Sequence, residues 1–99
     1  MRYVDVEFEF LSATKDLTER GFVIQRDDEM VLEVECNGDP EDPHLICGKA
    51  ERGFFHGRHK GKLPDDVTVE AKWTRLDHVY IGIWIEDGVD YFFKFRLPA

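Results

Sequence analysis

DVTVEAKWTRLDHVYIGIWIEDGVDYFFKFRL, residues 66–97, contains three alternating apolar runs and two turn signals, and its reading decides the fold. Asp87-Gly88 is the dipeptide that supplies the positive φ angles of a type I′ hairpin turn. With that turn, Glu86 faces Val89, Trp84 faces Tyr91, Gly82 faces Phe93 and Tyr80 faces Phe95. A second tight turn at Leu76-Asp77 sets Trp73 against Tyr80, Ala71 against Gly82 and Val69 against Trp84. Every apolar residue of the first run then falls on the face already chosen by the second hairpin. Because side chains alternate with period two, a one-residue slip would move that whole set to the other face. The segment reads as a three-stranded antiparallel meander with one aromatic side.

The same alternation extends towards the N-terminus. In residues 2–11, Val4, Val6, Phe8 and Phe10 point inward and Tyr3, Asp5, Glu7 and Glu9 outward. Residues 12–19 are polar and suit one helical turn, with Gly21 available to end it. Strands follow at 20–26 and 29–36, joined at Asp27-Asp28, and at 44–51 and 54–60, joined at Arg52-Gly53. That last turn pairs Ala50 with Phe55 and Gly48 with Gly57. Short strands joined by turns indicate an all-β domain, a single antiparallel eight-stranded up-and-down meander. Charge favours a closed small barrel over an open sandwich. Lys94 and Arg96 on the last strand complement Asp5, Glu7 and Glu9 on the first, and pairing those strands removes both sheet edges.

Composition bounds the function. Ninety-nine residues make one domain, 1–99, able to form a core without metal or disulfide. The formal net charge of −8 argues against general affinity for nucleic acid or anionic membranes. No apolar run reaches the length of a membrane helix, and Met1-Arg2-Tyr3-Val4-Asp5 lacks the apolar stretch of a signal peptide, so a cytoplasmic location is expected. On this alternation Cys36 points inward and Cys47 outward, which predicts reduced thiols.

The strand order, with Gly48 before a Gly53-Phe54 turn and Tyr80-x-Gly82-x-Trp84 running into Tyr91-x-Phe93-x-Phe95, resembles small calycin-type barrels, the streptavidin-like and lipocalin-like proteins. The N-terminal Gly-x-Trp of lipocalins is absent, and no family ligand residue carries over. The resemblance implies a barrel whose interior sometimes holds a small hydrophobic molecule.

Three constellations are candidates for function. The inward rings Phe8, Phe10, Phe55, Trp73, Tyr80, Trp84, Tyr91, Phe93 and Phe95 form either a core or a pocket, with Gly48, Gly57, Ala71 and Gly82 as packing counterparts. As a pocket, Trp73, Tyr80, Trp84 and Tyr91 are the ligand-binding candidates, for an apolar or aromatic molecule. Glu86 is the one inward acid of the meander and reads as a solvated rim residue.

Residues 48–62 carry a net charge of +4 in a chain otherwise at −12. Lys49, His56, Arg58 and Lys60, with Lys62 beyond, are candidates for binding an anion or an acidic partner; the alternative is that they neutralise acid elsewhere, such as 39–42. The third candidate is the outward face Val79, Ile81, Ile83 and Ile85 with Phe92, an apolar stripe that suggests an isologous homodimer. Its competing explanation is a cover over the stripe from residues 12–19 through Leu17.

Signals for chemistry are thin. Cys47 beside His56 lacks a third residue or an oxyanion arrangement. His56 and His59 point to opposite faces, His44 and His78 stand alone in sequence, and Asn37-x-Asp39-x-Glu41 lacks the glycine of a calcium loop. No catalytic residue, metal site or cofactor is expected. The leading expectation is a non-enzymatic interaction domain acting through its surface. A carrier of a small apolar ligand is the second, and an acidic inhibitor or nucleic-acid mimic, dependent on Asp39, Glu41 and Asp42, the third.

Overall fold

A computed structural model describes residues 1–13, 16–35, 43–59 and 68–98. Eight antiparallel strands run in chain order: β1 Arg2–Leu11, β2 Asp16–Arg26, β3 Glu29–Glu35, β4 Pro43–Glu51, β5 Phe54–His59, β6 Val69–Leu76, β7 Val79–Glu86 and β8 Val89–Arg96. Each pairs with the next and β1 pairs with β8, closing a barrel. The up-and-down order follows from the turns. Asp87 and Gly88 have φ of 50° and 77°, and Arg52 and Gly53 have 54° and 84°, the left-handed pairs of a type I′ connection. Glu86↔Val89, Trp84↔Tyr91, Gly82↔Phe93, Tyr80↔Phe95, Ala50↔Phe55 and Gly48↔Gly57 therefore stand opposite one another. At the closing seam Glu9 opposes Lys94, with Nζ 3.4 Å from Oε2.

The turn between β6 and β7 lies at Asp77-His78, one residue later than expected from the sequence, so Leu76 opposes Val79, Trp73 opposes Gly82, Ala71 opposes Trp84 and Val69 opposes Glu86. Asp77 takes φ 60°, a conformation aspartate tolerates and a bulky leucine does not. The resulting pairing is displaced by two residues. A shift of two preserves the faces, which is why the inward set survives the change.

Three further expectations are overturned. Asp16–Glu19 belong to β2, where Leu17 opposes Phe10 and Asp16 opposes Leu11, so this ladder takes the place of the helical turn. Leu17 packs against the core and does not cover the outer stripe. Val4 is 60% exposed. Between Tyr3 and Val6 the register with β2 shifts, and Asp5 takes φ 53°; this bulge resets the alternation and turns Tyr3 towards the core.

Inside the barrel Phe8, Phe10, Trp73, Tyr80, Trp84, Phe93 and Phe95 are buried together with Met30, Leu32, Val34 and Ile46, while Phe55 and Tyr91 are partly buried against them. Tyr80 stacks on Phe95 at 5.0 Å, and Phe10 meets Trp84 edge-on at 5.1 Å. Gly48 lies beneath the Trp73 indole. Gly57 and Gly82, expected to accommodate rings, instead allow neighbouring backbone to approach: a methyl at 57 would meet the Cys47 carbonyl, and one at 82 the Lys72 carbonyl.

Candidate functional site

Outward residues of β7 alternate with its core residues, and the closed sheet gives them neighbours on both sides. Ile81, Ile83 and Ile85 are 40%, 46% and 38% exposed, and Phe92 on β8, directly opposite Ile83, is 69% exposed. Leu11 of β1 opposes Phe92 on its other side, so the apolar surface crosses three strands. A groove of ≈ 390 Å³ runs over this face, lined by Leu11, Phe54, Ile81, Ile83 and Phe92 with Lys94 at its margin. The four residues expected at a dimer contact thus form one exposed apolar patch.

The two ends of this patch differ in charge. Ile85 lies between Glu70 and Asp90, whereas Val79 lies between Leu76 and Arg96. Among the described residues no ion pair within the chain uses Asp90 or Arg96.

On the basic hairpin, Lys49 opposes His56 and Cys47 opposes Arg58, as the Arg52-Gly53 turn requires, and all but the half-buried Cys47 are exposed. Lys60 and Lys62 lie outside the described residues, as do Cys36, Asn37, Asp39, Glu41 and Asp42. The hairpin is not a bare cationic stripe. Lys49 opposes Glu29, Arg58 opposes Glu70, and Nε2 of His56 is 2.5 Å from Glu70 Oε1. That imidazole contact, aided by the charges of His56 and Arg58, holds the Glu70 carboxyl below its ordinary value against a desolvation effect of opposite sign. Acids on the adjoining strands, Glu29 and Glu70, therefore accompany these bases.

The four ligand-binding candidates separate by depth. Trp73, Tyr80 and Trp84 are 0%, 4% and 2% exposed, and Tyr91 is half-buried. Trp73 stacks on Phe55 at 5.6 Å, meets Phe93 edge-on at 6.1 Å and donates its indole N–H to the Met30 sulfur at 3.3 Å. Its neighbours are core side chains on every side that these contacts define.

One cluster escaped the sequence reading. His44 on β4, His59 on β5, and Trp84 and Glu86 on β7 converge at the barrel end where β3 leaves and β4 enters. His44, 9% exposed, stacks nearly parallel to Trp84 and meets His59 edge-on at 5.4 Å. Its Nδ1 lies 3.1 Å from Glu86 Oε1, an ion-pair separation off the axis of a straight hydrogen bond. The same oxygen accepts the Trp84 indole N–H at 3.2 Å. The His44 contact above all, then the indole, holds the Glu86 carboxyl below its ordinary value, while burial opposes them. Glu86 is thus a partner in a polar network as well as a rim residue. Parity was the available signal, since His44 shares the inward face of Ile46 and Gly48, and His59 that of Phe55 and Gly57. Among the described residues no group of three or more His, Cys, Asp or Glu side chains is placed to hold a metal ion, and no helix is long and apolar enough to cross a membrane.

Comparison of the chain with protein-family models, with curated proteins and with solved structures finds no match.

Proposed function

We propose that this chain is a non-enzymatic interaction domain, a small closed barrel whose interior serves as its core and whose outer face over β7, β8 and β1 docks onto another protein surface. One observation carries this reading: Phe92, Ile83, Ile81, Ile85 and Leu11 form a continuous exposed apolar patch. Leaving large apolar side chains in water forgoes about 1.5–3 kcal/mol each relative to full burial, so covering such a patch is favourable. The mutual packing of Trp73, Phe55, Phe93 and Met30 supports a filled interior. The free thiol of Cys47 fits a reducing, cytoplasmic setting.

A second reading draws on the cluster of His44, His59, Trp84 and Glu86, a polar end to an aromatic interior, and on the resemblance to calycin-type barrels. In it the domain carries a small aromatic ligand near Trp84 and Tyr91, with Glu86 orienting a polar group.

Two measurements separate the readings. A native mass spectrum of the untagged protein as purified is expected to contain only the bare chain or a multiple of it. An apolar dye such as anilinonaphthalene sulfonate is expected to brighten on the folded protein at high dilution, where the face is uncovered, and to lose that response in Ile83→Lys and Phe92→Glu. A discrete extra mass that persists in those variants would replace the first reading with the second.

A further inference from the structure

We infer that the occupant of the outer face is a second copy of this chain, packed two-fold with β7 of one protomer antiparallel to β7 of its partner. The inference rests on the reading of this face as a docking surface and adds both the partner and its orientation.

The argument is charge complementarity along the strands. At one end of the face Glu70 and Asp90 flank Ile85; at the other Leu76 and Arg96 flank Val79. A face-to-face dimer has its two-fold axis in the plane between the sheets, and aligned sheets leave two main choices. An axis running along the strands exchanges β6 with β8 across the interface and sets Asp90 against the partner's Glu70, two like charges. An axis running across the strands keeps β8 over β8 and reverses its direction. Asp90 then faces the partner's Arg96, and Arg96 faces the partner's Asp90. In that orientation Ile83 meets the partner's Ile81, and Phe92 meets the partner's Lys94, a ring and cation that attract. The other axis sets Phe92 on the partner's Lys72, a similar contact, so the ring does not choose between them; the two Asp90–Arg96 contacts, against Asp90 facing Glu70, make the strands pack antiparallel.

The dimensions suit a modest interface. Four strands about 4.8 Å apart and eight residues long at about 3.3 Å per residue span roughly 15–19 Å by 26 Å, about 400–500 Å² per partner, below the standard size of stable contacts and in the range of weak, transient ones. The dimer is therefore reversible and responds to salt as well as to concentration.

Asp90 and Arg96 are exposed, so reversing either charge leaves the barrel folded, which circular dichroism checks. Sedimentation velocity over a dilution series then reads association. The wild type dimerises. Asp90→Arg and Arg96→Asp each place two like-charge contacts in the interface, and at about tenfold per contact each weakens association about a hundredfold. Mixing the two variants in equal amounts restores dimers, because every contact in the mixed pair is then Arg against Asp; the double variant D90R/R96D recovers for the same reason.

A wild type that stays monomeric throughout the series overturns the inference, and the dye experiment then decides separately whether the face docks anything. Dimers broken by Phe92→Glu but strengthened by Asp90→Arg, which the other axis would set against the partner's Glu70, or indifferent to both charge reversals, would mean that the face is the interface and the orientation is wrong. Reversals that weaken association without recovery in the mixture would also overturn the antiparallel arrangement.

Discussion

The six-membered ring of the Trp73 indole lies over Gly48, so close that a methyl group at position 48 would overlap its Cη2. Trp73 is fully buried and held on other sides by Phe55, Phe93 and Met30, so the ring has little room to retreat. Gly48→Ala is expected to cost about 1–3 kcal/mol, the usual range for overpacking a core. Urea unfolding followed by tryptophan fluorescence measures this; an unchanged midpoint would mean that the indole can step aside.

The hairpin turns predict a contrast. Gly88 has φ 77°, where a side chain is strained, so Gly88→Ala loses about 1–2 kcal/mol. Asp77, at φ 60°, already bears a left-handed conformation. Asp77→Gly removes that strain but adds freedom to the unfolded chain, and the two effects cancel to within about 0.5 kcal/mol. Paired denaturation curves test this, and equal losses in both variants would contradict it.

Acid should weaken the barrel partly through Glu86. Its carboxyl is more acidic in the folded protein than its ordinary 4.5, chiefly because of His44 and then the Trp84 indole. As pH falls, the unfolded chain therefore takes up this proton first. The stability that Glu86 contributes is present above 4.5 and is lost as pH falls through the lower, folded-state value. Glu86→Gln is expected to be less stable at neutral pH and to have a shallower acid limb. Thermal melts across that range would refute the assignment if the two limbs ran parallel.

The seam between β1 and β8 sets a charge pair against a backbone ladder. Glu9 and Lys94 are both about half exposed at 3.4 Å, which limits the pair to less than about 1 kcal/mol. The ladder Phe8↔Phe95, Glu9↔Lys94, Phe10↔Phe93 and Leu11↔Phe92 buries four rings, Phe8, Phe10, Phe93 and Phe95, on the same seam. Lys94→Ala should shift the denaturation midpoint slightly, and Phe95→Ala should cost about 3–5 kcal/mol. A comparable loss from both would mean that the charges, rather than the rings, hold the barrel closed.

Much of this architecture was legible because its determinants are local. Asp87-Gly88 and Arg52-Gly53 prescribe their own dihedral angles, and a two-residue turn then sets every pairing along its hairpin. The pairings Trp84↔Tyr91 and Lys49↔His56 follow from those turns alone. The turn at Asp77-His78 is not legible in this way, because Leu76-Asp77 gives the same inward face and parity cannot distinguish registers two residues apart. The exposure of Val4 escapes the sequence for a related reason, since alternation carries no mark of the bulge at Asp5.

For the candidate sites the division is similar. Residues on one strand or on paired neighbours, such as Ile81, Ile83, Ile85 and Phe92, can be grouped from alternation and turns. His44, His59 and Glu86 cannot, because β4 and β5 meet β7 across the interior, with β6 between them in the sheet. The charges of Glu29 and Glu70 that temper the basic hairpin likewise come from flanking strands.

By itself, then, the sequence determined the strands, the faces they turn inward and most hairpin registers, since these depend on dihedral preferences and a two-residue period. The tertiary structure alone decided where the bulge falls, which polar groups meet at the barrel end and which acids on flanking strands accompany the basic hairpin. Those depend on how far the sheet coils before it closes, a property of all eight strands together.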